Sequence, residues 1–373
     1  MFETEKEKLL QLLEAAFELH YDPDRQVMLA GHNGPYNQPE SPLRVTAHWL
    51  VILSQMAHSA EHKDMYLARI ADLHSGIKRY HDASLKNFIS REQATPDVDA
   101  MNGTVGAAWV FEGLAHSLAL VPDSGLKSLC RAIYGNHHFS RRKALWHRCY
   151  PDGSKGRFDQ TFNHQLWFAY GSAALFADDP QVADDVQLFL SKLGQNMGQY
   201  DDGLIYHPMP YKADARSKAS VCAKHVFGVL ETLRERAGRK KREINYERDM
   251  HLKSIGYHGF NLFALVQLRK LFPSHNYFNS KSFESATKYI TTPQYRNGLV
   301  LEDFFGFGYN LAGLECLSVM SAFGDRFSAD ERDSVSEVVA EQFARMGLAE
   351  SDRLAPECFD LNTYIASCYK ALI

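Results

Sequence analysis

No run in the 373-residue chain approaches the roughly eighteen consecutive apolar residues that a membrane span requires, so none is expected. Six cysteines are present (Cys130, Cys149, Cys222, Cys316, Cys358 and Cys368), and none forms a CxxC pair. At least Cys222, Cys316 and Cys368 fall inside helical patterns, so free buried thiols in a reducing compartment are expected. A formal net charge of -4 is too small to recruit nucleic acid or an anionic membrane. HExxH is absent, and His137–His138 in YGNHHF is a weak metal pair, so neither a metal nor another cofactor is expected. No composition break or low-complexity linker divides the chain, which reads as a single domain over 1–373. The opening twenty residues, MFETEKEKLLQLLEAAFELH, lack the basic start and apolar core of a signal peptide, and a cytoplasmic location is expected. Self-association into a homo-oligomer is left open.

What is present is helical periodicity and an excess of polar rings. There are 17 histidines and 12% aromatics. Helices are predicted over 3–19, 42–58, 60–79, 103–120, 124–135, 162–178, 181–196, 217–237, 258–272, 278–291, 309–324, 329–347 and 360–372. The best strand is GLIYHPM, 203–209, one arm of a short β-hairpin near 200–210; RAGRKKR, 236–242, reads as a solvated helix end and loop. Two kinds of helix mostly alternate. One is amphipathic and charged, as in ADERDSVSEVVAEQFARMG; the other is apolar nearly all round, as in PLRVTAHWLVIL, GTVGAAWVFEGLAHSLAL and TFNHQLWFAYGSAALF. A helix apolar on every side must be covered on every side. The buried kind starts near Pro42, Gly103, Phe162, Tyr257, Tyr309 and Asp360, mostly fifty to sixty residues apart, the length of a helical hairpin with its loops. The fold class is therefore all-α, an (α/α)6 toroid with an inner and an outer ring, or seven-hairpin if 217–237 is also inner. An open solenoid would show a polar face on each helix.

Each inner helix opens with polar residues that a core does not need. These are Arg44 and His48; Asp97, Asp99 and Asn102; Asp159, Asn163, His164 and Trp167; Tyr257, His258 and Asn261; Tyr309 and Asn310 after Glu302 and Asp303; and Glu357, Asp360 and Asn362. Asp99, Asp159, Asn310 and Asp360 each suit an ordinary helix cap. Caps do not account for His, Tyr, Trp, Arg and Asn recurring together. In a toroid the inner helices run the same way, so these entrances meet in one cavity.

Such a cavity suits a carbohydrate: aromatic faces stack on pyranose rings, Asn, His and Asp bind hydroxyls, and Arg44 can pair with a uronate carboxylate. Hydrolysis needs two carboxylates, for which Asp99 and Asp159 are the natural pair, with Asp97, Asp202 and Glu302 in reserve. Proton removal from a uronate, as in elimination or epimerisation, needs a group to quench the carboxylate, a base, and a proton donor. Asn163, His164 and Tyr206 or Tyr257 would serve. The candidate catalytic residues are Asp99, Asp159, His164 and Asn163. The substrate-binding candidates are Arg44, His48, Asn102, Trp109, Trp167, Tyr206, His207, Tyr257, His258, Asn261, Tyr309 and Asn310.

Four stretches, NGPYNQPESPLRVTAHWL (33–50), DVDAMNGTVGAAWVFEGL (97–114), TFNHQLWFA (161–169) and YHGFNLFAL (257–265), carry a family resemblance. The chain resembles the six-hairpin glycosidases and toroidal polysaccharide lyases, and within them the AglQ-type glycosidases of surface-glycan gene clusters. QYDDGLIYH, 199–207, is similar to a cavity-facing stretch of unsaturated glucuronyl hydrolases, which use an Asp as general acid/base; Asp99 sits in a comparable context. FNHQLW is similar to the NNHxxW motif of alginate-type lyases, whose Asn neutralises the carboxylate and whose His accepts the proton. Those roles would fall on Asn163 and His164. Phe162 stands where that motif has its first Asn, and Tyr206, Tyr211 and Tyr257 compete for the lyase Tyr. DVDA at 97–100 is similar to the acid motif of class II terpene cyclases but lacks its last Asp. FGFGYNLAG, 305–313, reads as a turn, not a phosphate cradle. The first expectation is a glycoside hydrolase acting on a uronate-containing glycan, with Asp99 as general acid/base and Asp159 as partner. A lyase or uronate epimerase using Asn163, His164 and a Tyr is the alternative, and a non-catalytic glycan-binding protein is the third.

Overall fold

A computed structural model describes residues 2–58, 62–81, 84–92, 99–209, 232–301, 305–348, 354, 356 and 358–373; the side chains of 232–248 are not described. Asp97, Glu302, Asp303, Glu357, Tyr211, Cys222 and most of the helix expected over 217–237 lie outside the described residues.

Among the described residues, six outer–inner helix pairs follow one another. Outer α1 (Glu3–His20) precedes inner α2 (Leu43–Met56), and α3 (Lys63–Tyr80) precedes α4 (Val105–Ser117). Outer α5 (Ser124–Asn136) precedes α6 (Phe162–Leu175); α7 (Pro180–Ser191) and the short α8 (Leu193–Asn196) precede the long α9 (Thr232–Leu271). Then α10 (Lys281–Tyr289) and α11 (Pro293–Leu301) precede α12 (Ala312–Phe323), and α13 (Ala329–Arg345) precedes α14 (Leu361–Ser367), which continues as a 3-10 turn over Cys368–Ala371. The inner helices pack in the order α2, α4, α6, α9, α12; α12 then meets the 3-10 continuation of α14, and α14 closes back onto α2. This is the (α/α)6 toroid expected from the alternation of helix types.

Sequence pattern decides which ring a helix joins. On α2 every residue but Gln55 is buried, and on α12 every residue but Ser321 and Ala322. In contrast, α13 buries Val335, Val338, Val339, Gln342 and Phe343, a single stripe at helical spacing. Outer helices carry strong caps: Ser328 and Glu331 form a capping box on α13, and the Asp123 and Asp179 carboxylates accept N–H groups at the starts of α5 and α7. Inner helices approach closely at glycine. A Cβ on Gly113 would stand 2.4 Å from the Ala47 carbonyl oxygen, and one on Gly171 2.6 Å from that of Ala108. Without those side chains α2, α4 and α6 pack backbone to backbone. Buried apolar side chains from Leu9 to Ala371 form one contiguous cluster.

Among the described residues the strands are few and small. β1 (Tyr21–Asp22) pairs with β2 (Val27–Met28), and β3 (Phe139–Ser140), β4 (Leu145–Cys149) and β5 (Lys155–Phe158) form an antiparallel sheet between α5 and α6. The hairpin near 200–210 is present as a Gln199–Ile205 bridge, and Pro208 bridges to Thr161 at the start of α6. The sheet over 139–158 and helix α11 were not expected. Residues 236–242, expected as a helix end and loop, lie inside α9. Their charge is compatible with helix because Arg and Lys are good helix formers.

Candidate active site

An Asn-Gly pair sets the entrance of α4. Asn102 and Gly103 both take left-handed backbone conformations, φ +52° and +64°. A Cβ on Gly103 would fall 1.9 Å from Asp159 Oδ2, so only glycine fits. The turn aims successive backbone N–H groups at two carboxylates. Met101 and Gly103 N–H donate to Asp99 (3.0 and 2.8 Å), and Thr104 N–H donates to Asp159 Oδ2 (2.9 Å).

Asp159 follows β5 and is fully buried. Its Oδ2 also accepts from His164 Nδ1 at 2.8 Å; its Oδ1 accepts from Arg148 Nη2 (3.1 Å) and Thr161 N–H (3.2 Å). Burial by itself would raise its pKa, but His164, Arg148 and the Thr104 N–H outweigh burial and hold the carboxyl well below the usual range. Gln165 locks this corner to α6, donating to the carbonyls of Trp146 (2.7 Å) and Asp159 (3.0 Å) and accepting from Trp146 N–H (2.9 Å). An ionised Asp159 can only accept, so His164 donates to it from Nδ1, and in the neutral imidazole the lone pair then lies on Nε2.

The inner-helix entrances surround a cavity of about 180 Å³. Of the sequence candidates, Arg44, Asn102, Trp109, Asn163, His164, His207, Tyr257, Tyr309 and Asn310 line it. Asn33, Tyr36, Arg91, Val105, Thr161, Lys253 and Phe260 complete the wall. Arg44 is buried, stacks 4.0 Å over the Trp109 ring, and donates through Nη1 to Glu40 and to the Tyr309 hydroxyl, each at 3.1 Å. Tyr309 and Asn310 end a π-helical turn over Gly306–Asn310, and Leu311 then takes φ +59° before α12 begins. The buried Lys370 ammonium fixes that turn by donating to the Asn310 carbonyl (2.9 Å) and Glu315 (2.6 Å). His207 packs 4.4 Å from the Tyr257 ring. Burial, then Lys253 and His164, push its pKa well below the ordinary value, so it is neutral.

Seven candidates stand elsewhere. Asp159 lies behind His164 with both oxygens occupied, and Asp99, with both oxygens accepting backbone N–H groups and Arg148 Nη1 at 3.5 Å, is not part of the cavity wall. His48 and Trp167 lie one helical turn beneath Arg44 and Asn163. His48 packs against Trp109 and Tyr369, and Trp167 stacks 4.4 Å from Phe260. Asn261 is buried one turn below Tyr257. His258 is held by Ile205 N–H and the Ala286 carbonyl, where α9 meets its neighbours. Tyr206 lines a separate surface pocket with Gly198, Gln199, Tyr200 and His251. Tyr206 was taken from the expected hairpin; each of the others was placed by its nearness to a helix start, which does not say which way a side chain turns. Of the reserve and cap candidates, Asp202 caps its own turn through Leu204 N–H, and the Asp360 carboxylate accepts from Thr363 N–H as a helix cap.

Among the described residues no three His, Cys, Asp or Glu side chains converge as a metal set, no carboxylate lines the cavity, and no helix is long and apolar enough to cross a membrane. His137 is hydrogen-bonded to Asn87 and the His147 carbonyl. A larger groove of about 800 Å³ between α7 and residues 272–282 on the outer ring holds none of the clustered residues.

No family model matches the chain. It is 29% identical over 345 residues to archaeal glycosylation protein Q of Haloferax volcanii, covering 92% of this chain and 91% of that one. Its fold is similar to that of three solved proteins. Cellobiose 2-epimerase from Spirochaeta thermophila gives a TM-score of 0.62 at 12% identity, covering 100% of this chain and 98% of that one. A D-mannose isomerase gives 0.61 at 12% identity (99% and 97% covered), and a sugar epimerase from a ruminal bacterium 0.61 at 11% (98% of each). By fold the chain is thus an (α/α)6 toroid like these epimerases and this isomerase, and the AglQ-type likeness read from four short stretches extends over 92% of its length.

Proposed function

We propose that the chain is a carbohydrate-acting enzyme that moves a proton on a uronate-containing sugar of surface-glycan metabolism, with His164 as general base. The observation that carries this reading is the Asp159–His164 pair at 2.8 Å, with His164 on the wall of a cavity that no described carboxylate reaches. Asp159 fixes the tautomer and stabilises the imidazolium that forms, the division of labour by which a carboxylate supports a histidine base. His207, held neutral by burial, is a second imidazole in the same cavity. If the Tyr257 hydroxyl, kept protonated by burial, gives its proton to the other face of the sugar carbon, the outcome is epimerisation; if it gives that proton to a departing glycosidic oxygen, the outcome is elimination. In either case the His164 imidazolium then reprotonates the tyrosinate. Asn163, Asn102 and Asn33 suit sugar hydroxyls, and Trp109, Tyr257 and Phe260 offer ring faces. The cationic lining of Arg44, Arg91 and Lys253 favours an acidic sugar. The small volume suits a single ring more than an extended chain.

Hydrolysis, the first expectation from sequence, would need Asp99 and Asp159 to flank a glycosidic bond. Their hydrogen bonds go to the backbone, Arg148 and His164 instead. The test compares His164→Ala with Asp99→Asn on uronate-terminated oligosaccharides, following ultraviolet absorbance of an unsaturated product and epimer content. The proposal expects His164→Ala to be inactive and Asp99→Asn to retain turnover. Loss in Asp99→Asn with activity kept in His164→Ala would restore hydrolysis, and turnover by neither variant nor parent would favour a glycan-binding protein.

A further inference from the structure

The three cations around the cavity are not equally available. Arg44 is matched by the fully buried Glu40, 3.1 Å away, and pinned by Tyr309 and Trp109. Arg91 points back into the wall, donating to Asn102 Oδ1 (2.7 Å) and the Asp99 carbonyl (3.4 Å). Arg148, just behind, is shared between Asp159 and Asp99. Lys253 differs. Its ammonium donates to the Tyr36 hydroxyl at 2.5 Å and meets no carboxylate among the described residues. It has three protons to donate, and this bond uses one.

Its position is also built. Lys253 precedes Tyr257 by four residues on α9, so both occupy one helix face, and that face meets the cavity. Three rings hold the ammonium at the cavity edge: Tyr36, Tyr257 and Phe305, with centroids 5.2, 5.9 and 5.1 Å away. Such contacts stabilise a cation without neutralising it. Lys253 is close enough to His207 to disfavour its protonation.

We propose that Lys253, rather than Arg44, reads the substrate carboxylate. This rests on the acidic-sugar reading above. It also assigns Lys253 a part in the chemistry. Removing the proton next to a carboxylate moves negative charge onto its oxygens, and an ammonium already placed there stabilises the charge as it develops. Arg44 then serves as a rigid platform behind Trp109.

Calorimetric binding of glucuronic acid and of glucose, at low and high salt, tests this with Lys253→Gln, Lys253→Arg and the parent protein. The parent should prefer glucuronic acid by about tenfold or more, the size of one charge-assisted hydrogen bond. Lys253→Gln should reduce the preference to under about twofold with glucose binding unchanged, and Lys253→Arg should recover part of it, in a salt-sensitive manner. A preference that survives in Lys253→Gln overturns the assignment alone. A parent without any preference overturns the acidic-sugar reading and the assignment with it. Equal loss for both sugars in Lys253→Gln would mean a packing role and also refutes the proposal.

Discussion

Replacing Asp159 by Asn changes almost no volume and removes one charge, so its effect can be worked from the four bonds the carboxylate accepts. Oδ2 receives Thr104 N–H and His164 Nδ1–H, and Oδ1 receives Arg148 Nη2–H and Thr161 N–H. Every partner is a donor. An amide therefore sets its NH2 group against two donors whichever way it turns, and Arg148 loses its buried counter-charge. Arg148 is 32% exposed and keeps Asp99 at 3.5 Å, so the cost is chiefly that of the buried donors left unsatisfied, about 1–3 kcal/mol each. The linkage runs the same way. A carboxyl with a depressed pKa stabilises the fold above its unfolded pKa and loses that contribution as pH falls through the folded one. The Asn variant should lack the contribution at neutral pH and show a flatter loss of stability in acid. Catalysis should suffer separately. If the amide NH2 faces His164, the imidazole must accept at Nδ1, its proton moves to Nε2, and the base is lost. Comparable tautomer errors cost roughly 10⁴-fold in rate. Urea denaturation across pH measures the first effect, and turnover under conditions where the variant is folded measures the second. Activity within tenfold of the parent would refute the claim that Asp159 orients the base.

Three further outcomes follow from the same geometry. Gly103→Ala puts a Cβ 1.9 Å from Asp159 Oδ2 at a left-handed φ, so it should lower stability by about 2 kcal/mol or more and depress turnover, read by thermal melts and kinetics. Glu112 is buried on α4 and burial pushes its carboxyl up to about 8. A raised folded pKa means stability present below about 4.5 and lost as pH rises toward 8, so Glu112→Gln should raise stability near pH 7 by on the order of 3 kcal/mol and flatten that slope. Trp109→Ala removes the ring under Arg44 and should raise KM more than it lowers kcat, because the stack forms before the chemistry.

The architecture was legible because burial leaves a pattern. Helices such as α2 are apolar all round and α13 carries one stripe, and this difference sorts the two rings without any coordinates. The shared cavity was legible from helix entrances, which is why Arg44, Asn163, His164, Tyr257 and Tyr309 were found. Direction was not legible. His48 and Trp167 differ from Arg44 and Asn163 by one turn, and depth along a helix decides between wall and core. The setting of Asp159 depends on Arg148 from an unexpected strand and on the Asn102–Gly103 turn, neither adjacent in sequence to His164. Lys253 was missed because α9 was expected to begin near 258; extending the helix back one turn would have placed it above Tyr257. Asn33 and Tyr36 come from a loop whose nearness to Tyr309 is a purely tertiary fact.

The most direct test is hydrogen exchange at the sugar carbon. The parent protein and His164→Gln are incubated in D2O with glucuronate- and galacturonate-terminated disaccharides, and mass spectrometry follows deuterium next to the carboxylate. The account predicts incorporation, or loss of that hydrogen with double-bond formation, by the parent and neither by His164→Gln. Cleavage to two saturated sugars without deuterium at that carbon, unaffected by His164→Gln and abolished by Asp99→Asn, would contradict it.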